Sequence, residues 1–232
     1  ARSQNRIFLL KHKPGSPPLL ALFGDIRWHI FLSHLWSTGQ DQARIIKQQL
    51  VTFLPGLKVF LDVDDLQDIS QLDEYIKASG CVLFFLSKGY FMSKNCLTEV
   101  DATLSFKRDF VLVHDRGTRG VPLVELISEC PTHLREPIFT DAKVVPLMRA
   151  APFFQQALKE IAEEMIRINL VLRLEVKTAA RLKEVAVSKE VKVEAEDFEL
   201  TAPGEIPNDA YYILPDRTCI CISNYNHGVD EV

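Results

Sequence analysis

Three side chains that could take part in catalysis or binding follow an apolar run, in the segment SKNCLTEV (93–100). They are Ser93, Cys96 and Glu99. The small and polar residues before Glu99 are typical of a helix start, which leaves two interpretations of this acid. In the first, Glu99 is an early-helix carboxylate that the helix dipole stabilises by about 0.3–1 kcal/mol. In the second, Glu99 acts on a substrate. The elements that position the segment are needed to choose between them.

Five short apolar runs predict the strands of one sheet. They are HIFLS (29–33), KVFLDV (58–63), CVLFFLS (81–87), FVLVH (110–114) and KVVPL (143–147). Each run is continuous rather than alternating, as expected for central strands that are covered on both faces. Segments with helical periodicity separate the runs, and this alternation predicts a five-stranded, doubly wound parallel sheet of the α/β class.

The intervening segments place apolar residues on single helical faces. The predicted faces are Ala43, Ile46, Leu50 and Phe53; Leu72, Ile76 and Ser79; Leu97, Val100 and Leu104; and Phe154, Ala157, Leu158, Ile161, Met165 and Ile168. With Leu97 and Val100 directed inward, we expect Glu99 at the edge of its helix face, towards a cleft.

The alternating pattern predicts a domain that spans residues 28–170. Residues 1–27 are then an N-terminal extension. We interpret residues 171–232 as a small β-containing appendage or the start of a next domain. Within them, AYYILPDRTCICISNY (210–225) predicts two strands around a Pro-Asp turn. The chain begins at Ala1 rather than Met, which is compatible with a piece of a longer protein.

The composition excludes several classes of protein. A formal net charge of −4 argues against a nucleic-acid binder held by positive charge. No apolar run approaches the roughly 20 residues of a transmembrane helix. The five cysteines form no disulfide or zinc pattern, so we expect a reduced, cytoplasmic chain.

In an open parallel sheet, ligands bind beside the carboxyl ends of the strands. That rule selects three loops: residues 33–42, 62–70 and 87–99. The first has a single glycine, Gly39, instead of the glycine-rich phosphate loop of dinucleotide-binding folds. The second is acidic but lacks the spacing of a calcium loop, so it predicts a solvated loop and no metal site.

Four segments, taken in order, resemble the Toll/interleukin-1 receptor (TIR) domain family. They are HIFLSH, GQDQA, VFLDVDDLQDISQLDEYIKAS and CVLFFLSKGYFMSKNCLTEV. The resemblance runs from about residue 28 to 113 and more weakly to about 168, and its most specific part is S-x-x-C-x-x-E at Ser93, Cys96 and Glu99. It implies a flavodoxin-like fold with short flanking extensions and a role in signal transduction and innate immunity.

The resemblance also implies a site. Some members of the family hydrolyse NAD⁺ to nicotinamide and ADP-ribose or a cyclic isomer, and Glu99 matches their catalytic glutamate. NAD⁺ is then the substrate and no cofactor is needed. The implied substrate-binding residues are Ser33, His34, Trp36, Asp62, Tyr90, Ser93 and Cys96. The implied self-association loop contains Asp64, Asp65, Leu66 and Asp68, and Asp41 matches an acidic position that opens the first helix.

The chemistry of NAD⁺ makes one carboxylate sufficient. Nicotinamide leaves as a neutral base, whereas the ribose develops positive charge that an ionised carboxylate stabilises. We expect the early helix position to keep Glu99 ionised, near unpaired N–H groups. Trp36 has two interpretations, a base-stacking platform and a half-buried packing residue.

Three functions therefore stay open: an NAD⁺ glycohydrolase that acts in a homo-oligomer, a non-catalytic module that recruits other TIR domains, and a nucleotide-binding or sensor domain of the same fold. The surroundings of Glu99 separate the first two. A cleft with aromatic neighbours favours the enzyme, and a solvent-directed Glu99 favours the interaction module.

Overall fold

The computed structural model describes residues 7–11, 17–18, 20, 22, 24–61, 72–117, 120–168, 199–203, 213–214 and 217–218. Its strands are β1 (Leu9–Leu10), β2 (Trp28–His34), β3 (Val59–Phe60), β4 (Ser79–Leu86), β5 (Asp109–Asp115), β6 (Val144–Leu147), β7 (Leu200–Thr201), β8 (Ile213–Leu214) and β9 (Arg217–Thr218). Its helices are α1 (Trp36–Phe53), α2 (Leu72–Lys77), α3 (Lys94–Ser105), α4 (Leu123–Glu129), α5 (Thr132–Phe139) and α6 (Ala151–Ile168), with a 3₁₀ turn at Tyr90–Met92.

The central sheet has five parallel strands in the order β3-β2-β4-β5-β6. The predicted flavodoxin-like α/β fold is therefore confirmed, and each of the five apolar runs contains a strand. The order makes β2 and β4 neighbours, with Ser33 opposite Phe84 and His34 opposite Phe85. The loops after β2 and β4 consequently leave the sheet side by side.

Alternation along the strands divides the interior into two cores. Ile30 and Leu32 of β2 belong to the core beneath α1 and α6, whereas Phe31 belongs to the core beneath α2–α5. Because successive strand residues point to opposite faces, Ser33 lies on the same side as Phe31 and faces α3. The strand register thus decides which helix can contact Ser33.

The helical faces predicted from periodicity are largely confirmed. The buried residues of α1 include Ala43, Ile46 and Leu50, and those of α6 include Leu158 and Ile161. Ser79 was assigned wrongly to the α2 face. The helix ends at Lys77, and Ser79 instead begins β4, where it pairs with Trp28.

The first helix also starts earlier than the sequence predicts. Residues 36–42 are helical rather than a loop, and α1 begins at Trp36, so Asp41 does not open the helix. Gly39 explains how these residues pack. A Cβ atom there would lie 3.1 Å from Phe85 Cδ1 and 3.2 Å from Ser87 Oγ, so glycine allows α1 to approach the end of β4 closely.

The two flanks meet in a short antiparallel ribbon that the sequence did not predict. β1 pairs with β7, with Leu9 opposite Thr201 and Leu10 opposite Leu200. Four apolar side chains of the ribbon are buried in the core with α1 and α6: Phe8, Leu10, Leu200 and Ala202. The ribbon is therefore packed as part of the folded unit.

Hydrogen bonds connect this ribbon to α1 and to α6. Phe8 N–H donates to Phe53 O of α1 at 2.8 Å, and Leu200 N–H donates to Glu163 Oε1 of α6 at 2.8 Å. Burial raises the pKa of Glu163, and the bond from Leu200 opposes that shift.

In the C-terminal segment beyond β7, the pair of strands β8 and β9 can be compared with the prediction. β8 and β9 pair antiparallel, with Ile213 opposite Thr218, which confirms the two strands expected around residues 215–216. The domain boundaries at residues 28 and 170 stay predictions. Within the described ranges, no helix has both the length and the apolar character that a membrane crossing requires.

Packing of the β1–β7 ribbon against the core predicts that a substitution in β7 lowers the stability of the whole fold, although β7 is distant in sequence from the central sheet. Replacing the buried Leu200 with alanine should lower the free energy of unfolding by about 2–4 kcal/mol, because the substitution leaves a cavity against α6. Urea titration followed by circular dichroism measures this loss. The adjacent, partly exposed Thr201→Ala should change stability by no more than about 0.5 kcal/mol. Equal effects of the two variants would show that the ribbon does not pack as described.

His29 predicts how stability depends on pH. It is buried at the start of β2, its Nδ1 accepts the Lys58 N–H at 2.9 Å, and burial and the Lys58 charge lower its pKa to about 4. Between pH 6.5 and about 4 the unfolded chain therefore binds a proton that the folded chain does not. Acidification through this window should lower stability, with a contribution from His29 of up to about 1.4 kcal/mol per pH unit.

Denaturant titrations at several pH values test this contribution. His29→Asn offers a neutral acceptor to Lys58 and should flatten the slope of stability against pH by about one proton. The matched change at the exposed His133 should leave the slope unaltered. An unchanged slope in His29→Asn would contradict the assignment.

Candidate active site

Three hydroxyl and carboxyl groups meet at the carboxyl edge of the sheet. Ser33 lies near the end of β2, Tyr90 opens the 3₁₀ turn that follows β4, and Glu99 lies on α3. The Ser33 hydroxyl donates to Glu99 Oε2, and the Tyr90 hydroxyl is hydrogen-bonded to Ser33 Oγ. Since Ser33 has a single proton and gives it to Glu99, Tyr90 is the donor to Ser33. The result is a directed chain from Tyr90 through Ser33 to Glu99.

The chain is removed from solvent. Tyr90 is 0% exposed, Ser33 1% and Glu99 5%. A buried carboxyl group is costly unless hydrogen bonds compensate it, and Ser33 provides such a bond. Glu99 is therefore buried rather than directed to solvent.

Tyr90 is held in the protonated form that its donor role requires. Burial raises the pKa of Tyr90 well above its usual value, and Cys96 and Glu99 raise it further. The hydrogen bond with Ser33 opposes this shift. At neutral pH the phenol is consequently neutral and its proton is available to Ser33.

The expected dipole stabilisation of Glu99 is wrong. α3 begins at Lys94 and its first turn contains no acidic residue, so Glu99 lies in the second turn, away from the unpaired N–H groups. Its carboxylate is stabilised instead by the Ser33 hydroxyl from across the sheet–helix interface. Ser33, which donates this hydrogen bond, is thus 66 residues away from Glu99 in the sequence.

The S-x-x-C-x-x-E spacing has a structural explanation. Ser93 is the N-cap of α3, where its side chain accepts the Cys96 N–H at 3.3 Å. The buried Cys96 Sγ donates to the backbone oxygen of His34 at 3.6 Å, which ties α3 to the end of β2. One turn further, Glu99 reaches Ser33. Residues three apart share a side of the helix, so Cys96 and Glu99 both contact β2, and Ser93 caps the same helix.

A second set of contacts joins α1 to the end of β4. Thr38 Oγ1 is 2.8 Å from Ser87 Oγ and donates to Lys88 O at 3.1 Å. These two hydroxyls were not predicted as site residues, although Ser87 is the last residue of the third apolar run. They fix the position of the loop that leads to Tyr90.

Another buried acid that the sequence did not single out, Asp115, ends β5. Its Oδ1 accepts the Gly117 N–H at 2.8 Å, and its Oδ2 lies 3.6 Å from Arg149 Nη2. By strand alternation Asp115 lies on the side of Val113, which belongs to the core beneath α1 and α6. It therefore faces away from Glu99, and the two acids do not form a glycosidase-type pair.

The sequence-predicted residues separate into three groups. Ser33 is hydrogen-bonded to both Tyr90 and Glu99, and the buried Cys96 contacts the backbone oxygen of the buried His34. Ser93 caps α3, and Trp36, the first residue of α1, is 54% exposed. Asp62 and the predicted association loop, with Asp64, Asp65, Leu66 and Asp68, lie outside the described residues. In the part of the chain that the structure describes, no three His, Cys, Asp or Glu side chains are grouped as metal ligands.

Comparison with known proteins finds a family model that matches part of the chain. Residues 30–136 match the family model for the TIR domain. Among solved structures, the chain is similar to a metazoan TIR-STING receptor from C. gigas in complex with 2',3'-cGAMP, with 18% identity, a TM-score of 0.42 and coverage of 62% of this chain and 42% of that chain. A second structure of a metazoan TIR-STING receptor from C. gigas shows 19% identity, a TM-score of 0.40, and coverage of 62% and 43%.

The chain thus matches less than half the length of these receptors. A search of curated proteins found no match.

The helix cap predicts a measurable contribution to the site. Ser93→Ala should lower the free energy of unfolding by about 1 kcal/mol, because it leaves the Cys96 N–H without its side-chain acceptor. Ser93→Asp keeps an acceptor and should retain most of the stability. Thermal and urea unfolding of both variants measures the difference, and equal losses would contradict the capping role.

Proposed function

From the premise that residues 30–136 form a TIR domain, we propose that the chain is an NAD⁺ glycohydrolase in which Glu99 is the catalytic carboxylate. The products are nicotinamide and ADP-ribose or a cyclic isomer. The observation that carries the proposal is the burial of Glu99 at the carboxyl edge of the sheet, with Ser33 donating to it. A cytoplasmic location and a part in innate immunity belong to the same proposal.

The reaction needs one stabilising anion. The bond between the ribose C1′ and the nicotinamide nitrogen breaks, and its electron pair neutralises the pyridinium ring. The ribose becomes an oxocarbenium-like cation, and water adds to C1′ and loses a proton to give ADP-ribose. In a cyclic product a nucleophile of the same molecule replaces water. Glu99 stabilises the cation as it forms, which lowers the barrier to bond cleavage.

The protein environment strengthens this effect. A carboxylate in a site that excludes water interacts with a developing charge more strongly than one in solution. The bond from Ser33 fixes the direction of the carboxylate before substrate arrives, so little reorganisation accompanies the reaction. Trp36, exposed at the same edge, can stack on one of the bases of NAD⁺.

Association with other TIR domains is the second candidate function, and a surface feature favours it. Met92 of the 3₁₀ turn and Val124 of α4 are each 73% exposed, and the two elements are in contact. Neighbouring exposed apolar side chains are typical of interaction surfaces. We propose that the chain forms homo-oligomers, in which the loop with Asp64, Asp65, Leu66 and Asp68 takes part.

Nicotinamide release from NAD⁺ tests the enzymatic proposal. The purified chain, at high concentration or with a crowding agent, should release nicotinamide, which chromatography measures. Glu99→Ala should reduce the rate at least about a hundredfold, because it removes the anion that stabilises the transition state. Asp101→Ala, at an exposed acid on the same helix, should retain the wild-type rate.

The outcomes distinguish the two candidates. No release by the wild type under assembling conditions, together with concentration-dependent association in sedimentation velocity, supports the non-catalytic module. Release that persists in Glu99→Ala would reject Glu99 as the catalytic residue even if the enzymatic activity stands.

A further inference from the structure

Tyr90 occupies a position in which its ring and its hydroxyl have separable roles. The ring lies 6.3 Å from the Phe84 ring and 5.1 Å from the Phe91 ring, centroid to centroid, within the core beneath α3. These contacts hold the ring through apolar packing alone. The hydroxyl is hydrogen-bonded to Ser33 Oγ, and the Ser33 hydroxyl donates to Glu99 Oε2. Hydrogen bonding therefore connects the Tyr90 hydroxyl to Glu99 through Ser33.

The hydroxyl of Tyr90 restricts where the Ser33 proton can point. A serine hydroxyl rotates to suit its partners, with one proton and two acceptor lone pairs. When Tyr90 donates to one lone pair, the Ser33 proton cannot point towards Tyr90 and is directed to Glu99 Oε2. Donation to Ser33 also polarises its O–H bond, which strengthens the next hydrogen bond in the chain.

We propose that Tyr90 is a positioning residue for the reaction at Glu99, acting through Ser33 to hold the carboxylate in its reactive orientation and in its ionised form. This inference rests on the proposed NAD⁺ cleavage. Tyr90 does not touch substrate in this role, in contrast to the substrate-binding role predicted from the sequence.

Among the described residues, two titratable groups shift the pKa of Tyr90. Glu99 and Cys96 face Tyr90 from α3, and both raise the pKa of Tyr90. His34 follows Ser33 on β2 but lies on the opposite side of the strand. Tyr90 therefore stays a donor across the pH range in which a carboxyl group titrates, and a change at acidic pH reports on Glu99 rather than on Tyr90.

Tyr90→Phe removes the hydroxyl and keeps the ring. We expect kcat for nicotinamide release to fall about tenfold, while KM changes less than about twofold, because the lost interaction orients the carboxylate rather than binding substrate. Ser33→Ala should lower kcat about a hundredfold, since Glu99 then loses the hydrogen bond from Ser33. The double variant should be no slower than Ser33→Ala, because the hydrogen bonds that connect the Tyr90 hydroxyl to Glu99 run through Ser33.

The matched control is Tyr75→Phe. The Tyr75 ring also stacks within this core, 4.4 Å from the Phe60 ring, on α2. It should retain the wild-type kcat and pH profile. Thermal unfolding of each variant checks that the fold is intact. The proposal would be overturned if kcat of the double variant fell by the product of the two single-variant factors. An unchanged kcat in Tyr90→Phe would overturn it as well.

A second measurement separates this inference from the proposed enzyme activity. NMR of protein with ¹³C-labelled glutamate follows the Glu99 carboxyl group as the pH is changed. Its titration midpoint should move to higher pH in Tyr90→Phe and further in Ser33→Ala, because a hydrogen bond to the charged form favours that form. The acidic limb of the pH profile of kcat should move in the same direction.

The NMR result does not depend on turnover. If the wild type releases no nicotinamide, the proposed function fails, and the positioning role in that reaction fails with it. A shifted midpoint then still shows that Tyr90 controls the Glu99 carboxyl group. If nicotinamide is released but the midpoint stays in place in Tyr90→Phe, the enzyme stands and the positioning role is rejected.

Discussion

The hydrogen bond from Ser33 to Glu99 is the interaction on which the carboxyl edge of this sheet depends. It joins the end of β2 to the second turn of α3 and compensates a carboxyl group that is 5% exposed. Without a donor at this position, burial of Glu99 would be strongly unfavourable. The Ser93 cap and the Cys96 contact to His34 keep α3 at the distance that this bond requires.

Backbone geometry at the neighbouring loops makes the contact possible. Gly89 adopts a φ of 80°, which lets the chain turn from β4 into the 3₁₀ turn that carries Tyr90. Gly39 allows α1 to pack closely against Phe85 and Ser87, at the end of the same strand. Two glycines therefore shape the segments that follow β2 and β4, and the polar chain links β2, the 3₁₀ turn and α3.

The sequence predicts most of the sheet and little of its connections. Continuous apolar runs are visible without structural data, because buried parallel strands require them. The starts of α1 and α3 were harder to predict. Leu35 caps α1 without a side-chain hydrogen bond, so the usual polar signal is absent, and Asp41 was taken for the helix start. The β1–β7 ribbon was missed because two-residue strands have no detectable period.

The candidate site could also be predicted only in part from the sequence. Ser33, Tyr90 and Glu99 could each be selected by their place after a strand, whereas their hydrogen bonds depend on strand register and rotamers that one sequence does not specify. Burial of the Glu99 charge is costly unless hydrogen bonds compensate it, and the Ser33 hydroxyl supplies one such bond. Under the proposed function, the same carboxylate would stabilise the positive charge that develops on the ribose.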